Sequence, residues 1–367
     1  MNSPSFGNIT PVDSGDVRAA LHDRVALEAF RRRERLDPDR LRRMFHALYQ
    51  LHEPLAQALT RLPPSSAAAL RQQFLLTPLH IQQRRDSQQD RSTKLLLRAA
   101  DGALLETVLM RSATGRLSVC VSSQVGCRAG CPFCATARMG LQRQLSGTEI
   151  IEQILIAARL TATEGRRLRN VVFMGMGEPL DNEQALHAAA DRIFDQRFGL
   201  GIPARRVLLS TVGVPDAMCR LIDRYPGFHM ALSLHSARPE LRSRIVPWSR
   251  KYDWQDLHAA LRYVAERHCT HRHQGPVMVE HLMAAGVNDR REDAEALIAY
   301  LQGIPAHVNL IPYNQIPGGP PWQPTPRAVR EVFANRLRDA GIFTTIRYSM
   351  GADIQAACGQ LAVEQPV

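Results

Sequence analysis

From residue 118 onward the sequence repeats one alternation: a run of five to seven mostly apolar residues, then a longer stretch with apolar positions three or four apart. The apolar runs lie at 118–122, 170–174, 206–211, 229–234, 277–283, 307–312 and 343–348. The amphipathic stretches lie at 148–161, 183–196, 253–268, 290–303 and 326–340. Short apolar runs bounded by turn residues predict strands, and three-to-four spacing predicts helices packed on one face. Their alternation predicts βα units, hence an α/β fold with a parallel sheet or a full or partial barrel. In such folds the loops at the C-terminal strand ends build the site.

The chain before residue 118 follows other rules. Residues 1–16 are short, polar and rich in Ser, Gly and Pro, and read as a disordered tail; 362–367 form a second tail. From about 17 to 74 the periodicity is helical, interrupted at Pro63-Pro64-Ser65-Ser66, and we draw a small helical domain over 17–90. Two β runs, 94–98 and 104–110, flank Asp101-Gly102, which predicts a hairpin extension over 91–117. The helical part carries Arg31, Arg32, Arg33, Arg35, Arg40, Arg42 and Arg43. Such a run is most often a solvated helix face; contact with RNA is the alternative.

Charge and composition narrow the class. Net charge is +11, almost all from arginine, with lysine only at positions 94 and 251. Residues 1–116 hold 18 basic and 12 acidic side chains, so over half the excess precedes residue 117. A basic surface attracts polyanions such as nucleic acid. No stretch approaches the ~18 apolar residues of a membrane helix, and the N-terminus lacks the basic start and apolar core of a signal peptide. A cytoplasmic, membrane-free setting is expected.

Four of the seven cysteines fall between Cys120 and Cys134, while Cys219, Cys269 and Cys358 stand apart. The number is odd and the spacing uneven, which suits ligand or redox chemistry better than a disulfide framework. Cys127-x3-Cys131-x2-Cys134 follows a predicted strand directly. Three thiolates on one short loop can hold three irons of a 4Fe–4S cluster and leave the fourth open. A zinc ribbon or knuckle, the competing reading, needs a fourth Cys or His at close spacing; Cys120 lies in the strand and the loop has no His. The x3–x2 spacing resembles the radical SAM superfamily, in which the open iron chelates S-adenosylmethionine.

Further polar residues gather at strand ends. Gly175-Met-Gly177-Glu178-Pro179 combines glycines, which let backbone approach a ligand, with a carboxylate that can hold an ammonium group. Ser210-Thr211, Ser233-Leu234-His235 and Asn314 each could be a satisfied polar strand end; their shared position argues for one site. Cys358 lies between Gly351 and Gly359, which suggests a shaped loop.

These blocks, with Val287-Asn288-Asp289, Asn309–Asn314 and Ala356–Leu361, resemble the RlmN/Cfr family of radical SAM methyltransferases that act on adenosine in ribosomal and transfer RNA. The resemblance runs from about Leu95 to Leu361 and is poor over 1–90. It implies a partial (βα) barrel of the radical SAM type with a small N-terminal helical domain, one 4Fe–4S cluster on Cys127, Cys131 and Cys134, and an S-adenosylmethionine pocket lined by Gly177, Glu178, Ser210, Ser233, Leu234, His235 and Asn314. It also implies two S-adenosylmethionine molecules per turnover. The first methylates Cys358; the second yields a 5′-deoxyadenosyl radical that takes hydrogen from the S-methyl group. The carbon radical adds to adenine, Glu106 removes the ring proton, and Cys120 attacks the Cys358 sulfur to release product, leaving a transient disulfide. RNA and an electron donor such as flavodoxin or ferredoxin are the expected partners of a monomer.

An unactivated adenine carbon is a poor nucleophile, so direct displacement fails and a radical is needed. A thioether-linked adduct needs a second thiol for release by exchange-type attack. Carbon 2 is favoured, because Gly177-Glu178-Pro179 resembles the carbon-2 members; carbon 8 is the alternative. A zinc-dependent nucleic-acid-binding protein would leave the S-adenosylmethionine pocket without a role. A radical enzyme for small molecules would leave Cys120 and Cys358 without one.

Overall fold

The structure, a computed structural model, describes residues 19–363 apart from 22, 76–78, 113, 271–274 and 348. The N-terminal tail and most of the C-terminal one lie outside the described residues. Ten strands form the main sheet: β1 (Leu79–Asp86), β2 (Thr93–Ala99), β3 (Leu104–Arg111), β4 (Leu117–Cys120), β5 (Asn170–Phe173), β6 (Val207–Thr211), β7 (His229–Ser233), β8 (Val277–Met283), β9 (Ala306–Pro312) and β10 (Phe343–Ile346). Each strand pairs with its neighbours in sequence. β1 to β4 pair antiparallel, and every pairing from β4 to β10 is parallel.

Parallel strands need crossovers, and helices supply them. The helical domain contributes α1 (Arg24–Arg33), α2 (Pro38–Tyr49) and α3 (Pro64–Gln73); the crossovers are α4 (Gly147–Thr163), α5 (Glu183–Phe194), α6 (Pro215–Arg224), α7 (Trp254–Thr270), α8 (Arg291–Tyr300) and α9 (Arg327–Asp339). The strands they cover carry a fully buried apolar face, as in Val171, Phe173, Val207, Leu209, Val277 and Val279, all at most 1% exposed. Ser146 and Glu149 close a capping box that starts α4 just after the cysteine loop. No described helix is long and apolar enough to cross a membrane.

Three features depart from the sequence reading. The helical domain ends at Gln73, and residues 79–86, assigned to it, form β1 at the sheet edge, exposed except for Leu79. Pro63 and Pro64 delimit rather than interrupt: Pro64 opens α3, where its missing N–H has no helical partner to lose. Helix α6 was unforeseen. The helical domain shares one core with the barrel, with Phe45 edge-on to Phe198 at 6.2 Å and Gln50 Nε2 donating to the Gly199 carbonyl at 2.8 Å.

The arginine run is largely paired within its own helices. Arg31 and Arg32 contact Glu28 at 2.7 and 2.9 Å, Arg42 and Arg43 contact Asp39, and Arg33 lies near Glu34. Of the seven arginines, only Arg35 and Arg40 lack an acidic partner among the described residues. This is the pattern of a solvated face.

Candidate active site

The loop after β4 and the C-terminal ends of β5 to β10 surround a cleft with a cavity volume of about 150 Å³ that opens to solvent. Its walls come from the cysteine loop (Phe133, Cys134, Thr136), the loop after β5 (Gly175, Gly177, Glu178), Ser210, Ser233, His235, Glu280, Asn314, Arg347 and Cys358.

Cys127, Cys131 and Cys134 sit in a separate apolar cluster with Ile245, Val246 and Trp248, and Phe133 packs against it. Burial pushes the Cys127 thiol up to about 12 and the Cys131 thiol well above its ordinary range; Cys134 is raised for the same reason. Such thiols ionise only beside positive charge. Arg242 provides one: its side chain is buried, donates to the carbonyls of Val212, Ser233 and Leu234, and lies close enough to register the Cys131 charge. Arg242 has no acidic partner among the described residues, so this loop is built for a negatively charged group. No three described His, Cys, Asp or Glu side chains converge as a single ion would require. Cys131 responds to the charge of both Cys127 and Cys134, so the three thiols of this loop lie near one another, as three protein ligands of one cluster must.

Glu178 is buried, and burial raises its carboxyl to about 7. Oε1 accepts from the Leu180 N–H at 3.0 Å and Thr211 Oγ1 at 2.7 Å; Oε2 accepts from the Val212 N–H at 2.8 Å. Oε2 keeps acceptor capacity for a ligand ammonium, which would favour the ionised form. The nearby glycines serve packing as much as ligand approach. A Cβ on Gly175 would stand 2.6 Å from the Val121 carbonyl oxygen, and one on Gly177, at φ +103°, would stand 2.6 Å from Gln124 Cβ.

Ser210 and Ser233 share a hydroxyl hydrogen bond of 2.8 Å across adjacent strands. His235 is held at φ +59°, a conformation costly for any residue but Gly. Three bonds fix it: its N–H donates to the Glu280 carbonyl, its carbonyl accepts from Asn288 Nδ2, and its Nδ1 accepts from the Leu282 N–H at 3.1 Å. With Nδ1 an acceptor and burial holding the ring neutral, the proton resides on Nε2, the remaining ring donor. Leu234 stands between two cleft-lining residues, Ser233 and His235, with its side chain buried in the main core. A strand end alternates sides.

Cys358 is exposed and lines the cleft, and its carbonyl accepts from Asn314 Nδ2 at 3.0 Å. Its loop is tied on two sides. The Ala135 N–H donates to the Gly359 carbonyl at 2.7 Å, joining it to the cysteine loop. Asp90 accepts from the Gly351 N–H, and Ser87 donates to Asp353, joining it to the β1–β2 turn. Cys120, at the end of β4, is buried; burial first, then the charge of Cys358, pushes its thiol up to about 12. All seven cysteines are free.

Glu106 belongs to β3 and is buried, where an acid near a hairpin turn would ordinarily be solvated. Burial raises its carboxyl, opposed by Lys94, whose Nζ lies 3.0 Å from Oε1. Oε2 is buried without a hydrogen bond, and Glu106 is not among the cleft-lining residues. Lys94 also donates to the Gln355 carbonyl, so the ion pair lies against the Cys358 loop.

Sequence reasoning missed Glu280, Arg347 and Arg242. Glu280 is buried, accepts from Asn309 at 3.2 Å, and lies 3.7 Å from Arg347. A lone acid inside the apolar run 277–283 was the available signal.

The Radical SAM superfamily model matches residues 121–299. A probable RNA methyltransferase of Rhodopirellula baltica is 42% identical over 335 residues, covering 91% of this chain and 85% of that protein. The dual-specificity RNA methyltransferase RlmN 1 of Myxococcus xanthus is 39% identical, covering 94% and 95%. The crystal structure of a radical SAM methyltransferase from Sphaerobacter thermophilus superposes with a TM-score of 0.88 at 38% identity, covering 94% of this chain and 99% of that one. With a relative this similar over nine-tenths of its length, the chain belongs to the RlmN family of radical SAM RNA methyltransferases.

Proposed function

We propose that the cleft methylates an adenine carbon, carbon 2, in ribosomal or transfer RNA, with Cys358 carrying the methyl group and Cys120 releasing the product. One observation carries this reading: an exposed thiol on the cleft wall stands close enough to a buried thiol at a strand end to perturb it. A small-molecule radical enzyme has no use for that pair.

When bound to Cys127, Cys131 and Cys134, a 4Fe–4S cluster supplies the electron that cleaves S-adenosylmethionine to a 5′-deoxyadenosyl radical. The chain's own groups do the rest. Glu178 holds the methionine ammonium, while His235 Nε2–H and the Ser210–Ser233 pair offer polar contacts. Asn314 fixes the Cys358 loop through the Cys358 carbonyl. Cys358 accepts a methyl group from one S-adenosylmethionine and presents it to the radical made from a second. Glu106, held by Lys94 against the Cys358 loop, takes the ring proton while Lys94 stabilises the carboxylate. The adduct radical would give up its electron to the cluster; Cys120, as thiolate, then attacks the Cys358 sulfur, the sulfur–methylene bond breaks, the methylene carbon takes its electron pair and a proton to become the methyl group, and the two sulfurs join as a disulfide. Restoring the dithiol, and reducing the cluster, both call on an external donor such as flavodoxin or ferredoxin; the chain works as a monomer.

Reconstituted enzyme, S-adenosylmethionine, a reductant and RNA lacking the modification test this. Mass mapping should find 2-methyladenosine; 8-methyladenosine would move the assignment to carbon 8, and unmodified RNA would reject it.

A further inference from the structure

At the other end of the barrel, His52, Arg167, Arg169 and Arg206 line a second, small cleft that opens to solvent, with a cavity volume of about 20 Å³. Arg167 and Arg169 precede β5, Arg206 precedes β6, and His52 follows α2, so four side chains from three separate segments meet there. The remaining lining is apolar, including Ile154 and Leu200, and contains no Asp or Glu. The neighbouring acids are taken: Glu53 by Arg61 at 2.7 Å and Glu152 by Arg159. No guanidinium of Arg167, Arg169 or Arg206 has an acidic partner or a hydrogen bond among the described residues, while the backbone N–H groups of Arg169 and Arg206 donate to Leu117 and Pro203. Arg206 is disfavoured as a cation, first by burial and then by Arg169, Arg205 and Arg167. His52 Nδ1 is buried with no hydrogen-bond partner, and burial with Arg167 holds the ring neutral.

Repelling guanidiniums gathered around a small cavity with an unpaired imidazole nitrogen make a donor set that lacks its acceptor. Guanidinium forks match phosphate oxygens. The cavity is lined by no Phe, Tyr or Trp, so it has no platform on which a base could stack. We infer that this pocket holds a backbone phosphate of the RNA substrate, anchoring it at the end of the barrel opposite the chemistry. The inference rests on the RNA reading above and adds where the RNA is gripped. It differs from the α1–α2 arginine run, whose charges are mostly spent on Glu28 and Asp39. Strands of four to five residues at ~3.3 Å each separate the two ends by roughly 15 Å, so only an RNA several nucleotides long reaches both.

The test compares wild type with R167Q/R169Q, both exposed positions whose change leaves the core intact, and with R206Q. Affinity is measured across salt for a full-length transfer RNA and for a trinucleotide centred on adenosine, together with inorganic pyrophosphate as a free-anion probe. Each lost phosphate contact removes about one unit from the slope of log affinity against log salt. R167Q/R169Q should flatten the slope for the long RNA by about one unit and leave the trinucleotide unchanged; R167K/R169K should restore it. An unchanged slope for the long RNA overturns the inference. So does loss of pyrophosphate binding alone, which would mark the pocket as a free-anion site. If wild type methylates no RNA, the functional reading fails; if it methylates RNA and the slopes coincide, only this inference fails.

Discussion

Cys120 and Cys358 are 238 positions apart in sequence, yet the buried thiol of Cys120 registers the charge of Cys358 at the cleft wall. Cys120 ends β4, paired with Val108 on one side and Val172 on the other, and so has a fixed position. Cys358 sits on a loop rather than a strand, tied by Asn314 at its own carbonyl, by Ala135 at Gly359 and by Lys94 at Gln355. A strand-held thiol behind an exposed loop thiol is the arrangement that thiol exchange requires. At a thiol pushed up to about 12, Cys120 stays protonated until it is needed, which protects the pair from premature oxidation.

The cysteine loop gives the first prediction. Replacing Cys127, Cys131 or Cys134 by Ala should abolish the broad visible absorbance of the reconstituted enzyme and the formation of 5′-deoxyadenosine. Full absorbance and radical yield in all three variants would contradict the assignment.

Glu178 gives a pH dependence. Its carboxyl titrates at about 7, and only the ionised form attracts an ammonium. Affinity for S-adenosylmethionine should therefore be full above pH 7 and fall about tenfold per unit at lower pH, read by calorimetry. E178Q should lose roughly 10- to 100-fold at pH 8 and flatten the profile, the size expected for a hydrogen bond to a charge. A wild-type profile that is already flat between pH 6 and 8 would remove Glu178 from the ligand.

Lys94 and Glu106 form a buried pair, and breaking one costs about 3–5 kcal/mol. K94M should destabilise the fold by about that amount in denaturant titration and raise the Glu106 carboxyl further. The acid limb of the methyl-transfer profile should then move to higher pH. E106Q should still load a methyl group on Cys358, visible by mass, but form little RNA product. Equal turnover in E106Q would make the pair structural.

The barrel was legible because its strands are short, mostly apolar runs bounded by turn residues, a local property. β1 was not: LHIQQRRD carries no alternation, and its strand character comes from pairing with β2. Helix α6 was missed although Pro215, at the first helical position, is a start signal. The polar residues at strand ends were legible as a group, since the fold sends every such loop to one mouth. Glu106 and Arg242 are buried by segments distant in sequence, the Cys358 loop and the carbonyls of residues 212, 233 and 234, and nothing adjacent to them announces it. The second arginine cleft assembles from three segments, whereas the conspicuous arginine run proved self-paired.

The most direct test of the central claim uses two single variants and one mass measurement of protein after reaction with RNA. C358A should carry no methyl group and yield no methylated RNA. C120A should load the methyl group and add to adenine but fail to release it, accumulating a covalent RNA adduct on Cys358 that nuclease trims to a single nucleotide. Normal turnover by C120A, or an adduct absent from C120A and product unchanged in C358A, would contradict the account.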